Sequence, residues 1–391
     1  MNSSYQRFRR FSAVLVGIVF LVSGLLKMID PVGTMLILQE YFRFFRLPAL
    51  MSAAKGLGIA LSVLEAGVGM SLITGIVRKI SAILTYVLLG FFTIVTFVLW
   101  LLNPAMDCGC FGEAVHLSHA QSFWKNVILL LLSVVAFTPF HDFGRPRKGR
   151  IVAAALAGLS LLYVVVYSNT HLPIADFTAF DWGAELYASL DDDVAADNHY
   201  KAAYVYRKDG QEGSFDLTAL PDTSWTFVRV DTVFRNTSAV SDEYPILSFR
   251  DAEGVYCDRM AAEGNVVVLS VYDATRAPWE AVKEQYYAVL NAGGTPLVLV
   301  SAVPGNAALP RDLPLYYADY KTLITLNRSN GGGSYFNAGE LVNKWDSRHV
   351  PDNLQADFAQ DPVDLSTHYI IRRRLRTQGF CVYLAALLLL I

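Results

Sequence analysis

The residues of this chain whose types and spacing best suit chemistry are two cysteines separated by one glycine, Cys108 and Cys110. They lie in the segment DCGCFGE, residues 107–113, after a long apolar run. In an oxidising compartment, thiols this close can join only in a tight ring, and such a strained disulfide is easily reduced. Gly109 permits the unusual backbone angles that closure requires. The spacing therefore predicts a redox-active thiol pair, with a permanent staple of the loop as a second interpretation.

A metal site is a third and weaker interpretation of the same segment. His116 and His119 follow the cysteines, which gives the pattern Cys-x-Cys-x5-His-x2-His. Cys108, Cys110, His116 and His119 would suffice for tetrahedral zinc, although the spacing is atypical. Cys257 and Cys381 stand alone in the sequence. Both are predicted to be small packing residues, although Cys381 could also be acylated.

Two charged residues interrupt the apolar runs. Lys27 lies near the outer end of the first run and Glu65 in the middle of the second. An isolated charge at such a depth costs roughly 2.5 kcal/mol or more. Both side chains are therefore predicted to face the interior of a bundle and to form a proton site, a ligand site or a switchable pair. The structural interpretation is that Lys27 reaches the headgroups and Glu65 packs between helices.

Five apolar runs must position these residues. The chain has 391 residues, of which 53% are hydrophobic and 17% charged, and a mean hydropathy of +0.35, which indicates a membrane protein with a soluble part. Each run is long enough to cross the hydrocarbon layer as a helix. The runs cover residues 11–28, 56–77, 80–102, 123–140 and 151–167. Between the first two, Asp30 and Pro31 predict the start of a helix leading into residues 35–46, either interfacial or packed on the bundle.

The distribution of charge predicts orientation and excludes one class of partner. Basic residues near positions 7–10, 78–79 and 145–150 fall on one side of alternating spans, which places the amino terminus in the cytoplasm and everything after residue 167 outside. Residues 169–371 carry 14 Lys and Arg against 29 Asp and Glu. An acidic soluble half has no basic face for phosphate backbones, so no nucleic-acid partner is expected.

Several of these motifs together resemble the DoxX-like superfamily, specifically its MauE (methylamine utilisation) branch. The resemblance covers residues 1–140 and rests on residues 22–31, on Glu65, on residues 107–112 and on residues 123–126. It implies a place in the bacterial inner (cytoplasmic) membrane, in contact with lipid. For Cys108 and Cys110 it implies disulfide formation or redox maturation of envelope proteins, with an envelope protein as substrate or redox partner. The resemblance assigns no cofactor, and a quinone is one candidate.

The sequence of the soluble half predicts two further folded parts, a small sheet and an α/β domain, followed by a tail. Residues 169–240 comprise a linker with a solvated acidic run, Asp191 to Asp193, and a small antiparallel β-meander over residues 200–207, 213–217 and 225–234, with Asp209 and Gly210 in a turn. Residues 241–350 alternate strand and helix and end in a β-hairpin, the order of elements of a thioredoxin-like domain. Residues 351–391 form a tail whose end, 378–391, is predicted to dip into or partly cross the membrane as a sixth segment.

The thioredoxin-like part is predicted to be redox-inactive. Residues 273–279, where a Cys-x-x-Cys pair would open the helix, contain no cysteine, and Gly331 to Gly333 lie where such folds place a cis-proline. The fold class predicted for the whole chain is therefore a membrane α-helical bundle, residues 1–168, joined to an extracytoplasmic α/β domain. Its architecture is similar to that of a bacterial group of DoxX-like proteins with a C-terminal thioredoxin-like domain.

Three functions follow from these patterns. The first is that of a membrane thiol–disulfide oxidoreductase, or an accessory to one, acting through Cys108 and Cys110 with the soluble domain binding the partner. In this hypothesis a Cys110→Ser variant would trap the partner on Cys108. The second is a non-enzymatic scaffold, for which both cysteines are dispensable. The third, transport through Lys27 and Glu65, is the weakest because the five spans show no internal repeat.

Overall fold

The computed structural model describes residues 3–104, 106, 108–138, 148–186, 200–208, 211–215, 220–222, 224–234, 245–301 and 309–390. Five residues or motifs of the sequence analysis lie outside this set: Asp107, the basic positions Arg145 and Arg147, the acidic run at 191–193 and the turn at 209–210. The chain folds as two compact units. Unit 1 comprises Met1–Ala175 and Thr377–Ile391, and unit 2 comprises Asp176–Arg376.

Unit 1 is built from helices. They are α1 (Ser3–Ile29), α2 (Pro31–Phe44), α3 (Ala54–Thr74), α4 (Arg78–Leu102), α5 (His119–Phe137) and α6 (Lys148–Thr170), with a short strand β1 (Cys110–Glu113). Within the described residues, five helical segments are long and apolar enough to cross a membrane: Ser4–Ile29, Pro48–Thr74, Arg78–Leu102, His119–Phe137 and Ile151–Thr170. The five predicted membrane helices are therefore confirmed, and their exposed apolar faces imply contact with lipid.

The start of α2 follows the sequence closely. The Asp30 side chain accepts a hydrogen bond of 2.9 Å from the amide of Gly33, and Pro31 occupies the first helical position. Proline fits there because its missing N–H would have no partner within the helix, while the aspartate satisfies one of the amides that would. This confirms the predicted cap and begins the helix four residues before the predicted 35–46 segment.

Glycines allow α1 and α3 to approach closely. A Cβ atom on Gly24 would lie 2.5 Å from the carbonyl oxygen of Ser62 and 2.6 Å from the amide nitrogen of Ala66. A Cβ on Gly69 of α3 would likewise lie 2.5 Å from the carbonyl oxygen of Gly17. Small residues at such crossings bring helix backbones together in membranes. The close approach of the two backbones also brings neighbouring side chains of α1 and α3 near to one another.

Unit 2 contains a six-stranded sheet. Its strands are β5 (Phe249–Arg250), β6 (Asn265–Val271), β7 (Thr295–Ser301), β8 (Leu315–Ala318), β9 (Gly332–Asn337) and β10 (Glu340–Trp345), in the order β10-β9-β6-β7-β8-β5. Strands β6, β7 and β8 are parallel, whereas β9 runs antiparallel to β6 and β10 to β9. Helix α7 (Trp279–Asn291) connects β6 to β7, and α8 (Tyr320–Leu326) precedes β9.

Both faces of this sheet are covered. Val267 and Leu269 pack on one face with Val282 of α7, while Val266 packs on the other with Leu323 of α8. A strand that is buried on both faces reads as a continuous apolar run, as residues 266–269 do. The helices and strands of the α/β unit could therefore be predicted from hydrophobic patterning.

The small preceding sheet differs from the prediction. Strands β2 (Tyr200–Lys208), β3 (Gln211–Phe215) and β4 (Thr226–Phe234) are antiparallel, but their order is β3-β2-β4, so they do not form a meander. Eight of the nine residues of β2, Tyr200 to Arg207, pair with β4, whereas β3 pairs with only five of them. Because β2 and β4 are both nine residues long and β3 only five, a central β2 lets the two long strands pair along nearly their whole length.

The tail contains two helices, α9 (Leu354–Ala359) and α10 (Pro362–Leu390), and the predicted membrane segment at 378–391 is mostly the end of the second, a 29-residue helix. In the described part of the chain, α10 is not among the helices apolar enough to span a membrane. The physical reason is the group of arginines at 372–374 and 376 within this helix.

Candidate functional site

A cavity of about 520 Å³ lies in unit 1 and is lined by both Cys108 and Cys110. Its walls come from α1 to α5 and are mostly aliphatic and aromatic. A few polar side chains converge on it, among them Ser23, Lys27, Tyr41, Glu65 and Lys125. An apolar pocket with a small number of polar groups is the usual form of a binding site for a small molecule.

Lys27 and Glu65 form a buried ion pair at this cavity. The Nζ atom of Lys27 lies 2.8 Å from Oε1 and 2.9 Å from Oε2 of Glu65, and the side chains are 7% and 1% exposed. Each charge thus has a counter-charge in a medium where an isolated charge is costly. The structure brings together the two intramembrane residues that the sequence singled out, and Lys27 bonds to Glu65 instead of reaching the headgroups alone.

Ser23 connects this ion pair to the cysteine loop. Its Oγ atom lies 2.7 Å from Oε2 of Glu65 and 2.7 Å from the carbonyl oxygen of Cys110. A serine hydroxyl has one hydrogen, so it can donate fully to only one of these two oxygens at a time. One hydroxyl group therefore links the carboxylate of Glu65 to the backbone of the loop.

The two thiols lie next to each other. Their Sγ atoms are 3.4 Å apart, and Cys108 is buried while Cys110 is partly exposed. Gly109 has a φ of +60°, in the left-handed region that favours glycine, and a Cβ there would collide with Cγ2 of Ile37. The hydroxyl of Tyr41 donates to the carbonyl oxygen of Cys108. Helix α2 thus holds the loop in the turn that the sequence predicted at Gly109.

The environment gives the two sulfurs opposite acidities. A hydrogen bond from Cys108 and, after it, the positive charges of Lys125 and Lys27 outweigh burial and lower the pKa of Cys110 to about 5. The same hydrogen bond, together with burial, raises the pKa of Cys108 well above its ordinary value. These opposite directions favour Cys110 over Cys108 as the thiolate of the pair. Since the thiolate is the reactive form, Cys110 is the sulfur suited to exchange.

Tyr41 stays a neutral hydrogen-bond donor at this site. Burial and, after it, the negative charges of the cysteines raise its pKa above its ordinary value. Ser23, Tyr41 and Lys125 were not predicted as site residues. Ser23 and Lys125 stand within the motifs at 22–31 and 123–126, which was an available signal, but nothing in the local sequence connects Tyr41 to a cysteine 67 positions later.

The structure does not assemble the four zinc candidates. His116 is exposed, and the ring Nε2 of buried His119 lies 3.1 Å from the carbonyl oxygen of Pro104. Among the residues that the structure describes, no group of three or more His, Cys, Asp or Glu side chains could hold a metal ion. The four candidate ligands are close in sequence, but the two histidines do not form a metal-ligating group with the two thiols.

In unit 2, the position expected for a thiol pair is occupied by a hydrogen-bonded loop. The amide of Asp273 donates to Oδ1 of Asn330 at 3.1 Å, and the side-chain amide of Asn330 donates back to the carbonyl oxygen of Asp273 at 2.8 Å. A Cβ on Gly331 would lie 3.1 Å from Cγ of Pro278. The loops at 273–279 and 330–331 are therefore tied together without a sulfur atom. Cys257, which is partly buried, donates to the carbonyl oxygen of Val255.

Unit 2 also contains a buried ion pair that the sequence analysis missed. The Nζ atom of Lys344 lies 2.7 Å from Oδ2 of Asp176, and the side chains are 2% and 7% exposed. Lys344 also lies 5.2 Å from the ring centroid of Trp182. Burial raises the pKa of Asp176, but the charge and hydrogen bond of Lys344 outweigh it, so the pKa lies below its ordinary value. The 168 positions between the two residues explain why no local pattern revealed the pair.

Comparison with known families supports the membrane part. Residues 6–139 match the family model described as methylamine utilisation protein MauE. Residues 200–236 match a second model, described as a domain of unknown function (DUF8463). No curated protein and no solved structure shows a significant match to the chain. The first match confirms the MauE resemblance for the N-terminal helices, and the second covers the small sheet β3-β2-β4.

Proposed function

We propose that this membrane protein oxidises thiols of envelope proteins through Cys108 and Cys110. The observation that carries the proposal is the pair of sulfurs 3.4 Å apart with opposite shifts in pKa. A low pKa stabilises the reduced pair, because the thiolate is the stable product of disulfide opening. A disulfide whose reduced form is stabilised is a good oxidant, which is the property needed to introduce disulfides into other proteins.

The chemistry proceeds by two exchanges. A thiolate of the envelope protein attacks the more accessible sulfur, that of Cys110, and Cys108 is released and takes up a proton. A second thiolate of the envelope protein then attacks the sulfur by which that protein is bonded to Cys110, and Cys110 leaves as a thiolate. A leaving thiol of low pKa departs faster, so the acidity of Cys110 favours this second step. The envelope protein gains one disulfide and the pair becomes a dithiol.

Unit 2 is proposed to bind the partner as a thioredoxin-like domain without thiols, spanning residues 241–350 after the part at 169–240. Support comes from the order β10-β9-β6-β7, in which a parallel pair is joined by α7 and a hairpin follows. Unit 2 is further proposed to be extracytoplasmic and α1 to begin in the cytoplasm of a bacterial inner membrane. The basic residues before α1 and at the start of α4 support this orientation.

Equilibration of the full-length protein with glutathione buffers tests the proposed redox role. The variant used would be Cys257→Ala/Cys381→Ala, so that only the pair at 108 and 110 contributes. We expect the pair to open and close as one two-electron couple, at a potential more oxidising than the roughly −300 mV below which structural disulfides lie. A pair that stays closed under stronger reductant, or never closes, would overturn the proposal.

Trapping then identifies the reactive sulfur. Because Cys110 has the lowered pKa and Cys108 is buried, Cys110 of the Cys108→Ser variant is expected to attack a disulfide of an oxidised envelope protein and release one of its thiolates. The resulting reductant-sensitive adduct should accumulate because Cys108 can no longer resolve it, whereas Cys110→Ser should form none. This reverses the trapping variant expected from the sequence. Full function in the Cys108→Ser/Cys110→Ser double variant would instead favour the scaffold hypothesis. An Arg276→Glu change in the exposed loop before α7 is expected to reduce the adduct and leave the redox equilibrium unchanged.

A further inference from the structure

We propose that the cavity in unit 1 binds the ring of a membrane-soluble quinone, which reoxidises Cys108 and Cys110 after each cycle. The inference rests on the proposed function, because a pair that oxidises partners must pass two electrons onward. The remaining cysteines of the chain, Cys257 and Cys381, are isolated in the sequence and form no second pair for a relay.

The cavity borders the hydrocarbon side. One of its lining residues, Phe91, lies on the membrane-spanning helix α4 and is 58% exposed. In a membrane-spanning bundle such a side chain faces lipid, so this wall of the cavity borders the bilayer. Its volume of about 520 Å³ falls in the range of roughly 300–1,000 Å³ that is typical of small-molecule sites. A ring with an isoprenoid chain that leaves toward the lipid matches this shape and polarity.

The inner end of the cavity has the groups that a quinone ring requires. The Nζ atom of Lys27 uses two of its three N–H groups on Glu65, and it lies 5.6 Å from the ring centroid of Phe92. The third N–H can donate to a carbonyl oxygen of the ligand, and Phe92 provides an aromatic surface for its ring. Cys108 and Cys110 line the same cavity. The donor, the aromatic wall and the cysteine pair thus belong to one cavity.

The reaction balances with the residues present. The Cys110 thiolate adds to a carbon of the quinone ring, and Cys108 then attacks the sulfur of Cys110. The bond between carbon and sulfur breaks, and the ring keeps the electron pair as hydroquinone. One proton comes from the Cys108 thiol and the other from the Lys27 ammonium, which is then reprotonated by water. Two electrons and two protons therefore move to the quinone as one disulfide forms.

The test uses full-length Cys257→Ala/Cys381→Ala protein in nanodiscs, reduced and mixed with ubiquinone-1. We expect one hydroquinone for each disulfide formed. In this background, Val95→Trp fills the cavity and is expected to slow the reoxidation at least tenfold without moving the equilibrium with glutathione. The matched control is Ile94→Trp, whose side chain is 66% exposed and does not line the cavity, and it should behave as the parent protein.

The outcomes separate this inference from the proposed function. A pair that equilibrates with glutathione but is not reoxidised by ubiquinone-1 overturns the quinone site alone, whereas a pair that does not open overturns both. Reoxidation of Val95→Trp at the parental rate would show that the cavity is not the site. Calorimetry of ubiquinone-1 with a Cys108→Ala/Cys110→Ala variant measures binding without electron transfer and leaves the other lining residues unchanged. Saturable binding is expected there, and its absence would refute the proposal.

Discussion

Replacing Cys108 with alanine should raise the pH at which Cys110 becomes reactive. The hydrogen bond from Cys108 is the largest cause of the low pKa of Cys110, about 5, so its loss removes most of the stabilisation of the thiolate. An ordinary cysteine has a pKa of about 8.5. Burial, which raises this pKa, and the charges of Lys125 and Lys27, which lower it, remain in the variant. We therefore expect a midpoint at least one pH unit above that of the parent, which corresponds to about 1.4 kcal/mol.

The midpoint is a sharper observable than the rate. At pH 6 a thiol of pKa 5 is about 90% ionised and one of pKa 8.5 about 0.3%, a ratio of roughly 300. A thiolate of lower pKa is also a weaker nucleophile, by roughly 30-fold over this interval. The two effects leave a rate difference of only about tenfold, whereas the midpoint of the pH profile depends on ionisation alone.

The assay is alkylation with iodoacetamide from pH 4 to pH 9, with the modified Cys110 measured by mass spectrometry. The background is again Cys257→Ala/Cys381→Ala. Lys125→Met, which removes a smaller contribution, should raise the midpoint less than Cys108→Ala does. A parental midpoint near 8.5, or the same midpoint with and without Cys108, would refute the reasoning from hydrogen bonding.

Three further predictions concern the packing that holds the site and unit 2. Glu65→Gln leaves the Lys27 ammonium buried without a counter-charge and should cost about 3–5 kcal/mol of stability, seen as a lower Tm in detergent; an unchanged Tm would contradict a buried pair. Gly24→Ala should cost about 1–3 kcal/mol because its Cβ meets the backbone of α3, whereas the control Gly67→Ala, with open space around it, should not. Asp176 has a lowered pKa, so its charge stabilises unit 2 at neutral pH, and this stabilisation is lost as the pH falls through the pKa of the carboxyl in the folded state. Asp176→Asn should therefore lower the free energy of unfolding of unit 2 at pH 7 and make that free energy less sensitive to acid, as measured in denaturant titrations.

The sequence was most informative where structure depends on local pattern. Five apolar runs predicted five membrane helices because the length of a spanning helix is set by the thickness of the bilayer. Asp30 and Pro31 predicted the start of α2. Each of these features is specified by residues within a few positions of one another.

Strand order and the extent of the tail helix were less predictable. A meander is the simplest arrangement of three consecutive strands, but the pairing of β4 with β2 depends on the relative lengths of strands that are separated in sequence. The apolar end at 378–391 marked only part of α10, because its first half, which includes four arginines, has no apolar run to reveal it. The sequence therefore reveals an apolar segment of a helix more readily than a segment that contains several charged residues.

The sequence by itself determined that two thiols stand one glycine apart next to a membrane helix, and that Lys27 and Glu65 would need partners. Only the tertiary structure decided that these two residues bond to each other, that Ser23 connects them to the loop, and that the surroundings lower the pKa of Cys110 and raise that of Cys108. The physical reason is that the acidity of a thiol depends on charges and hydrogen bonds within a few ångströms, and here two of its neighbours, Lys27 and Lys125, come from helices far from it in sequence.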